Sequence, residues 1–126
     1  MGAQENKQMA IAAYAAFGSG DAAGAMENMD DSIVWTARGD NALTGTYEGK
    51  EQVGELWGKL AGQEFSTKPH DFIAEEDKVV VLTTVTLAGE SVESADVLTY
   101  NSDGKLIAFD TLGDPTNANR VFAKGA

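Results

Sequence analysis

The order of the predicted elements indicates an α+β fold, in which N-terminal helices pack on one face of a curved, mainly antiparallel sheet. Apolar residues recur at helical spacing in two segments of the first half of the chain, residues 4–17 and 50–61. After Gly62 the pattern changes to strand-like runs separated by short turns of glycine and acidic residues. Helices followed by consecutive hairpin-linked strands are typical of proteins that segregate their helices to one face of an antiparallel sheet.

The first half begins with two predicted helices. The first covers residues 4–17, and its apolar stripe consists of Met9, Ala10, Ala13, Tyr14 and Phe17. The Phe-Gly-Ser-Gly-Asp sequence at residues 17–21 ends this helix, because glycine tolerates the left-handed backbone of a helix C-terminus. Asp21 is predicted to cap a short second helix that continues to about Met29, since its carboxylate can accept hydrogen bonds from exposed backbone N–H groups.

A strand and a third helix complete the first half. Residues 32–36, with the sequence Ser-Ile-Val-Trp-Thr, are rich in β-branched and aromatic side chains and are predicted to form a strand. Residues 37–49 are predicted to be a loop with a short strand near Tyr47. The third helix is predicted at residues 50–61, where Val53, Leu56, Trp57 and Leu60 would form one amphipathic face.

The second half is predicted to consist of strands at residues 64–74, 78–87, 92–100 and 105–113. Pro69 suggests an edge strand or a bulge, since proline cannot donate a hydrogen bond to a neighbouring strand. The Asp103-Gly104 pair is a strong hairpin signal. The Asp114-Pro115 pair is predicted to end regular structure, which leaves a tail with Phe122 as a docking residue.

The composition predicts one domain, residues 1–126, and limits the classes of function. With 43% hydrophobic residues, a chain of this length can bury about two-thirds of its unfolded surface. The net charge of −11 argues against partnership with nucleic acid or an anionic membrane. The absence of cysteine and the single histidine argue against thiol chemistry and a multi-histidine zinc site. Because no signal peptide or run of about 20 apolar residues is visible, we expect a cytoplasmic protein. We also expect that it uses no metal or cofactor.

Three short segments in a fixed order carry a family resemblance. They are the Phe-Gly-Ser-Gly-Asp segment at residues 17–21, Thr-Gly-Thr-Tyr-Glu-Gly at residues 44–49, and the segment from His70 to Leu82. With the Asp-Gly-Lys turn at residues 103–105, they resemble the SnoaL-like and ketosteroid isomerase-like branch of the NTF2-like superfamily. The resemblance covers nearly the whole chain and implies a cone-shaped fold that encloses an apolar pocket. It also implies a homodimer. The strongly apolar strand at residues 79–87 is expected to have one face on the helices and the other against a second subunit.

The superfamily includes ketosteroid isomerases, SnoaL polyketide cyclases, limonene epoxide hydrolase and scytalone dehydratase, together with non-catalytic binding proteins. The resemblance therefore implies a small-molecule pocket, and cofactor-free proton transfer on an apolar carbonyl-bearing or cyclic substrate is the leading interpretation. Such a reaction would be isomerase-like, cyclase-like or hydrolase-like. The alternative is a non-catalytic ligand-binding or dimerisation module, since one fold hosts many functions.

Asp96 is the first candidate catalytic residue. In a strand it would share a face with Leu98 and Tyr100, because side chains alternate with a period of two. It falls where the resemblance implies the protonated aspartic acid of ketosteroid isomerases, which donates a hydrogen bond to a developing enolate. The alternative is an outward-pointing carboxylate on a half-exposed sheet.

Tyr14 is the second candidate, since the isomerases carry an oxyanion-hole tyrosine on their first helix. Tyr14 lies one residue nearer the Gly-Asp motif than that pattern requires, a rotation of about 100° on a helix. Core packing is therefore the alternative. The same resemblance places Thr36 at the position of the isomerase base, and threonine cannot act as a base near neutral pH. This argues against ketosteroid isomerase activity.

Asp110 and His70 are the remaining candidate catalytic residues. The cyclases and limonene epoxide hydrolase use a carboxylate on the last strand, but alignment on Asp114 places Thr111 at that position unless a bulge restores Asp110. The alternative for Asp110 is a carboxylate paired with Arg38 or a lysine. His70 is the only side chain that ordinarily titrates near neutrality. It is expected to share a face with Phe72 and could exchange a proton with a nearby aspartate, or it could serve as a hydrogen-bonded structural residue.

Four aromatic residues are predicted to bind the substrate by lining the pocket, with ordinary core packing as the alternative for each. These residues are Trp35, Tyr47, Trp57 and Phe72.

Overall fold

The computed structural model of the protein describes residues 2–125, which form four helices and one six-stranded sheet. The helices are α1 (Ala3–Gly18), α2 (Ala22–Met26), α3 (Gly49–Ala61) and α4 (Thr116–Val121). The strands are β1 (Met29–Ala37), β2 (Gly45–Glu48), β3 (Ser66–Glu75), β4 (Lys78–Leu87), β5 (Glu90–Tyr100) and β6 (Leu106–Thr111).

The sheet is mixed and mainly antiparallel, with the strand order β2-β1-β6-β5-β4-β3. Every neighbouring pair is antiparallel except β1 and β6, which run parallel and bring the first half of the chain beside the last strand. The predicted α+β class is confirmed. The parallel pair places the end of β1 next to the end of β6, and this arrangement gathers the candidate residues of distant segments.

The inner face of the sheet packs against the helices and forms the core. Ile33 of β1, Val79 and Val81 of β4 and Leu98 of β5 are buried there. In β5, Asp96 is buried together with Leu98 and Tyr100, while the residues between them are less buried. The prediction that Asp96 shares a face with these two apolar residues is therefore confirmed, and its carboxyl group points inward.

The helical periodicity located α1 and α3 correctly. Asp21 caps α2 as predicted, since its Oδ1 accepts a hydrogen bond of 2.9 Å from the backbone N–H of Gly24. This helix is shorter than predicted and ends at Met26, because Met29 already belongs to β1 and pairs with Leu106 of β6. A long-range strand pairing has here replaced the last turn of a weak helix.

Strand β3 is an edge strand and also carries a bulge, so both interpretations of Pro69 are confirmed. The pairing with β4 shifts register between Pro69 and Asp71. An extra residue in one strand rotates the side chains that follow to the opposite face. The expectation that His70 shares a face with Phe72 is therefore wrong: His70 is exposed, whereas Phe72 packs against the core.

Regular structure does not end at Asp114 and Pro115, because α4 follows them. Asp114 Oδ1 accepts hydrogen bonds from the backbone N–H of Thr116, at 2.9 Å, and from its hydroxyl group, at 2.7 Å. An aspartate that accepts from a backbone N–H two residues later forms a local turn. In this chain that turn leads into a helix instead of closing the fold.

Helix α4 is held by polar contacts to two other parts of the chain. Asn117 donates to the carbonyl oxygen of Leu87 at 2.9 Å, which ties the helix to the end of β4. The Oδ1 atom of Asn119 accepts from the backbone N–H of Asp40 and from the side chain of Asn41, at 2.8 and 3.0 Å. These contacts connect α4 to the loop between β1 and β2, and so place it across one end of the space between the helices and the sheet.

We expect Asn117→Ala to destabilise the protein by about 1–3 kcal/mol, because it removes a buried hydrogen bond and leaves the Leu87 carbonyl oxygen without its side-chain donor. Asn117 is only 7% exposed, so water cannot readily replace the amide. Urea denaturation measures the change, with the exposed Glu55→Ala as a control that should alter stability by about 0.5 kcal/mol or less. Equal stability of the two variants would show that α4 is not anchored by Asn117.

Candidate functional site

A cavity of about 220 Å³ lies between the helices and the inner face of the sheet. Its wall is mainly apolar, and seven aromatic residues from both halves of the chain contribute to it: Tyr14, Phe17, Trp35, Trp57, Phe65, Phe109 and Phe122. The chain has two tryptophans, and both line the cavity. Ligand-binding cavities in proteins are typically lined in this way, by apolar and aromatic side chains with a small number of polar groups.

The aromatic wall is ordered by ring contacts between elements. Trp35 of β1 stacks on Phe109 of β6, with 3.6 Å between ring centroids and 12° between planes. Trp57 of α3 meets the edge of Trp35 at 5.6 Å and contacts Phe17 of α1 at 5.0 Å. Such contacts fix the ring orientations, so the cavity has a preformed aromatic wall.

The carboxyl group of Asp96 lies in this wall and is hydrogen-bonded to Tyr14. Asp96 is 4% exposed, and the Tyr14 hydroxyl donates to its Oδ2 at 2.5 Å. Tyr14 comes from α1 and Asp96 from β5, and both line the cavity. The structure thus brings together two of the four predicted catalytic residues, although they are 82 positions apart in the chain.

Two further hydroxyl groups lie beside Asp96. Thr111 of β6 stands directly opposite Asp96 in the antiparallel pairing of β5 and β6. The Ser94 hydroxyl is 3.0 Å from the Thr111 hydroxyl, and both residues line the cavity. Gly113 makes room for them, because a Cβ atom at that position would lie 2.8 Å from Ser94 Oγ. In this part of the cavity wall one carboxyl group is therefore surrounded by hydroxyl groups, while other polar residues line the cavity elsewhere: Arg38, Asn41, Thr67, Asp114 and Asn117.

Burial raises the pKa of Asp96 above its ordinary value, because a charged carboxylate is poorly solvated in this apolar wall. Hydrogen bonds from Tyr14, Thr111 and Ser94 favour the ionised form and oppose that rise in pKa. Burial, with the nearby Asp96 carboxylate as a further cause, raises the pKa of Tyr14 well above its ordinary value. Tyr14 is therefore a hydrogen-bond donor, and Asp96 is the group in the pair that can gain or lose a proton.

Asp110 lies on the outer face of the sheet and is not among the residues that line the cavity, although Arg38 is. The pairing of β5 with β6 is regular from Asp96 to Thr111, so no bulge turns Asp110 inward. Arg38 holds the Asp110 carboxylate through two hydrogen bonds, from Nε and Nη2, each of 2.7 Å. The hydrogen bond from Arg38 lowers the pKa of Asp110. The structure thus supports the alternative interpretation, an ion pair with Arg38, and does not place Asp110 with Asp96.

His70 is also outside the cavity. Its Nε2 atom is 2.5 Å from the hydroxyl oxygen of Thr84 and 3.7 Å from a carboxylate oxygen of Glu93. The bulge in β3 turned this side chain outward, so it reaches neither Asp96 nor Asp110. The arrangement matches the interpretation of His70 as a hydrogen-bonded structural residue.

The four aromatic residues predicted to bind substrate divide into two pairs. Trp35 and Trp57 line the cavity, whereas Tyr47 and Phe72 lie behind its wall. The Tyr47 hydroxyl donates to the carbonyl oxygen of Leu43 at 2.5 Å. Phe72 meets Tyr14 edge to face at 5.6 Å and so supports the hydroxyl-bearing ring from the far side.

Thr36 also lies outside the cavity. Trp35 points inward onto Phe109, and Thr36, its neighbour in β1, pairs with Asp110 beside the outer face. The side chain of Thr36 therefore does not take the place of a catalytic base in the cavity. Thr111, which alignment on Asp114 places at the position of the catalytic carboxylate in the last strand, does line the cavity.

Neither a metal site nor a membrane span is found within residues 2–125. No group of three or more histidine, aspartate or glutamate side chains in this range is arranged to hold a metal ion. None of the helices in the same range has the length and apolar character needed to cross a bilayer.

Comparison with known proteins identifies relatives of the fold. The sequence profile of the family described as "SnoaL-like domain" matches residues 10–109 of this chain. None of the curated proteins is significantly similar to the chain in sequence.

Three solved structures illustrate the similarity. A cystatin-like protein of unknown function from Xanthomonas campestris has a TM-score of 0.85 at 21% identity, over 94% of this chain and 98% of that one. An NTF2-like protein of unknown function from Burkholderia pseudomallei has a TM-score of 0.82 at 24% identity, with coverage of 94% and 98%. TerC, co-crystallised with polyporic acid, has a TM-score of 0.81 at 24% identity, with coverage of 94% and 97%. At these identities the likeness concerns the fold.

Proposed function

This chain belongs to the SnoaL-like domain family, and we propose that its cavity binds a small, largely apolar molecule that carries a carbonyl or hydroxyl oxygen. The single observation that carries this proposal is the Asp96–Tyr14 pair, joined at 2.5 Å in the wall of a mainly apolar cavity. A buried carboxyl group beside a hydroxyl donor provides one point of polar recognition. The apolar body of the ligand would lie against Trp35 and Trp57.

The similarity to TerC supports an organic ligand, because that structural relative was co-crystallised with polyporic acid. The preformed aromatic wall supports a flat ligand, since ring stacking rewards planar groups. A fused-ring ketone or phenol combines both properties and serves as a probe of the cavity.

The reaction that we propose for this site is cofactor-free proton transfer. The ionised Asp96 carboxylate accepts a proton from the carbon next to the ligand carbonyl group and later returns it to the ligand. Tyr14 donates its hydroxyl hydrogen to Oδ2 and holds the carboxylate in place during the transfer. General acid–base catalysis needs a group whose pKa lies nearer the working pH than that of an exposed aspartate, and burial moves the pKa of Asp96 in that direction.

Non-catalytic binding is the second candidate function, and the placement of His70 and Asp110 favours it. With these two residues outside the cavity, Asp96 has no second acid–base partner from the predicted set, apart from the Tyr14 hydroxyl. A binding protein needs the polar recognition point but no turnover. The two functions differ in whether the bound molecule exchanges a proton with the protein.

The test uses α-tetralone, a fused-ring ketone, and β-naphthol, a fused-ring phenol. Because both tryptophans line the cavity, binding of either probe should change the tryptophan fluorescence. We expect the affinity of wild-type protein to depend on pH through Asp96 and Asp96→Asn to lose that dependence. Asp110→Asn, which removes a carboxylate on the outer face, is the matched control and should retain it.

Exchange of the acidic carbon-bound hydrogens of α-tetralone in deuterated water then separates the two functions. Faster deuterium uptake with wild-type protein, but not with Asp96→Asn, supports proton transfer. Binding without faster uptake supports the non-catalytic function. Failure of both probes to bind, or binding that Asp96→Asn leaves unchanged at every pH, would contradict the proposed site.

We also propose that a second copy of this chain covers the outer face of the sheet. The most exposed large apolar side chains, Ile73, Leu82 and Leu112, all project from this face, with exposures of 54%, 38% and 54%. Beside the patch, Arg38 forms an ion pair with Asp110, whereas Asp71 stands opposite Leu82 in the pairing of β3 with β4. Burial of the apolar side chains favours association of two copies, and the net charge of −11 on each copy opposes it.

Leu82→Glu is expected to convert this dimer into a monomer, because it places a carboxylate at the centre of the apolar patch in both copies. Light scattering after size-exclusion chromatography measures the mass of each protein. Gln8→Glu, an equal change of charge at an exposed position of α1, should leave the dimer intact. A wild-type protein that is already monomeric at micromolar concentration would overturn the proposal.

A further inference from the structure

Asp96 is approached by hydroxyl groups from two sides, by Tyr14 from α1 and by the Ser94–Thr111 pair from the sheet. We propose that Thr111, supported by Ser94, is a positioning residue for Asp96, and that the hydroxyl pair keeps this carboxyl group hydrogen-bonded in both of its protonation states. The inference rests on the proposed function, in which Asp96 is the group that carries the proton. It assigns a role to a residue that has neither acid nor base chemistry of its own.

The geometry of the sheet places Thr111 next to Asp96. Directly opposed residues of antiparallel strands have Cβ atoms about 4.5–5.5 Å apart, close enough for their side chains to interact. Ser94 lies two positions before Asp96 in β5, so the two side chains leave the same face of the strand. The 3.0 Å contact between the Ser94 and Thr111 hydroxyls completes a compact cluster around one carboxyl group.

Gly113 fixes the position of Ser94 in this cluster. An added Cβ atom at position 113 would come within 2.8 Å of Ser94 Oγ and within 3.0 Å of Ser94 Cβ. The backbone after β6 therefore packs directly on the serine side chain. Ser94 is 8% exposed, so its hydroxyl depends on protein partners and on a bound ligand instead of bulk water.

A hydroxyl pair suits a carboxyl group that changes its protonation state. A hydroxyl can both donate and accept, whereas an ionised carboxylate can only accept. When Asp96 is ionised, Thr111 donates to the carboxylate and accepts from Ser94. When Asp96 is protonated, its new O–H group donates to Thr111, which donates to Ser94. The chain of hydrogen bonds reverses its direction, so the carboxyl group and Thr111 keep hydrogen-bond partners in both states.

Without this pair, each proton transfer would leave a buried polar atom unsatisfied, which costs free energy in one of the two states. Tyr14 cannot compensate for the loss, because its hydroxyl already donates to Oδ2 of Asp96. Thr111 would therefore control both the orientation of Asp96 and its affinity for a proton. A threonine with a merely structural role would affect stability alone.

The test compares wild-type protein with Thr111→Val, Thr111→Ser and Thr67→Val. Carboxyl-carbon NMR follows the titration of Asp96 in each protein. Thr111→Val removes a hydrogen bond to the charged form, so the acid dissociation constant of Asp96 should fall about tenfold. Thr111→Ser keeps the hydroxyl and should restore the wild-type titration. Thr67→Val is the matched control, because Thr67 lines the same cavity but its hydroxyl oxygen has no hydrogen-bond partner within residues 2–125.

The pH dependence of β-naphthol binding gives a second readout, which should shift with the Asp96 titration in Thr111→Val. If Thr111→Val does not fold, Ser94→Ala decides, since it removes the outer hydroxyl and should move the titration in the same direction by a smaller amount. A titration of Asp96 that neither substitution changes would overturn the inference. If the pKa of Asp96 in the wild-type protein is nevertheless raised and responds to β-naphthol, the proposed function would survive that result.

Discussion

Asp96→Asn is expected to make the folded protein more stable near neutral pH, while the rate of proton transfer falls by about 10²–10⁴-fold. The asparagine side chain has nearly the shape of aspartate, and its oxygen can still accept from Tyr14. It carries no charge, so the cost of burying an ionised carboxylate disappears. A stabilising substitution that destroys function is typical of a group that is retained for its chemistry.

The sign of the pH dependence follows from the raised pKa of Asp96. Below the ordinary pKa of 3.8 the Asp96 carboxyl group is protonated in both the folded and the unfolded protein. The difference in stability between wild type and Asp96→Asn should therefore be smallest in this pH range. As the pH rises, the unfolded state releases its proton first, and wild type loses stability until the pH passes the folded-state pKa. The advantage of Asp96→Asn should therefore grow over this interval and then remain constant.

Urea denaturation across this pH range measures the effect, with Asp110→Asn as a control of opposite sign. The hydrogen bond from Arg38 lowers the pKa of Asp110, so this carboxylate contributes stability above its unfolded pKa and loses it as the pH falls through its folded pKa. Asp110→Asn should therefore be less stable than wild type near neutral pH. If Asp96→Asn is instead less stable than wild type at neutral pH, burial of the ionised Asp96 carboxylate does not destabilise the folded protein, and this account of Asp96 is contradicted.

Phe109→Ala is expected to have the largest effect on stability, a loss of about 3–5 kcal/mol in the free energy of unfolding. Phe109 is 8% exposed, lies in β6 between β1 and β5, and stacks on Trp35. The substitution removes the ring that supports this tryptophan and opens a void next to the cavity. Thermal or urea unfolding measures the loss.

Two comparisons test the reason for that loss. Phe109→Leu fills more of the space and should lose less stability than the alanine variant. Tryptophan fluorescence should shift in Phe109→Ala, because Trp35 loses its stacking partner. A loss below about 1 kcal/mol, with unchanged fluorescence, would mean that the aromatic wall is not held together by this stack.

The elements that the sequence located correctly are those with a strong local signal. Periodicity fixed α1 and α3, and the run of β-branched residues fixed β4 at its observed bounds. The predicted family and the α+β class were confirmed by the match to the SnoaL-like domain and by the sheet topology. Alternation within β5 was enough to predict that the Asp96 side chain lies on the same face as Leu98 and Tyr100.

The predictions that the structure corrected depend on bulges, strand registers and long-range contacts, which the sequence of one local segment does not determine. A single bulge in β3 reversed the side of the sheet that His70 faces. The inward direction of Thr111, and with it the outward direction of Asp110, follows from the register between β5 and β6. Helix α4 is six residues long and is stabilised by contacts of Asn117 and Asn119 with distant backbone, so its own sequence carries little signal.

The pairing of Tyr14 with Asp96 also required the structure. A rotation of about 100° separates neighbouring helical positions, so a one-residue offset in the family pattern left the direction of Tyr14 undetermined. Packing of α1 on the sheet, with Phe72 against the tyrosine ring, decides that direction. The candidate site is thus a product of tertiary packing among elements that the sequence predicted separately.

The central claim is that Asp96 is a buried, proton-carrying carboxyl group in a ligand cavity, and its titration by carboxyl-carbon NMR tests this claim most directly. We predict that Asp96 titrates above the ordinary value of 3.8, that Asp110 titrates below it, and that β-naphthol moves the Asp96 titration alone. An Asp96 carboxyl group that titrates at its ordinary value and does not respond to the ligand would contradict the claim.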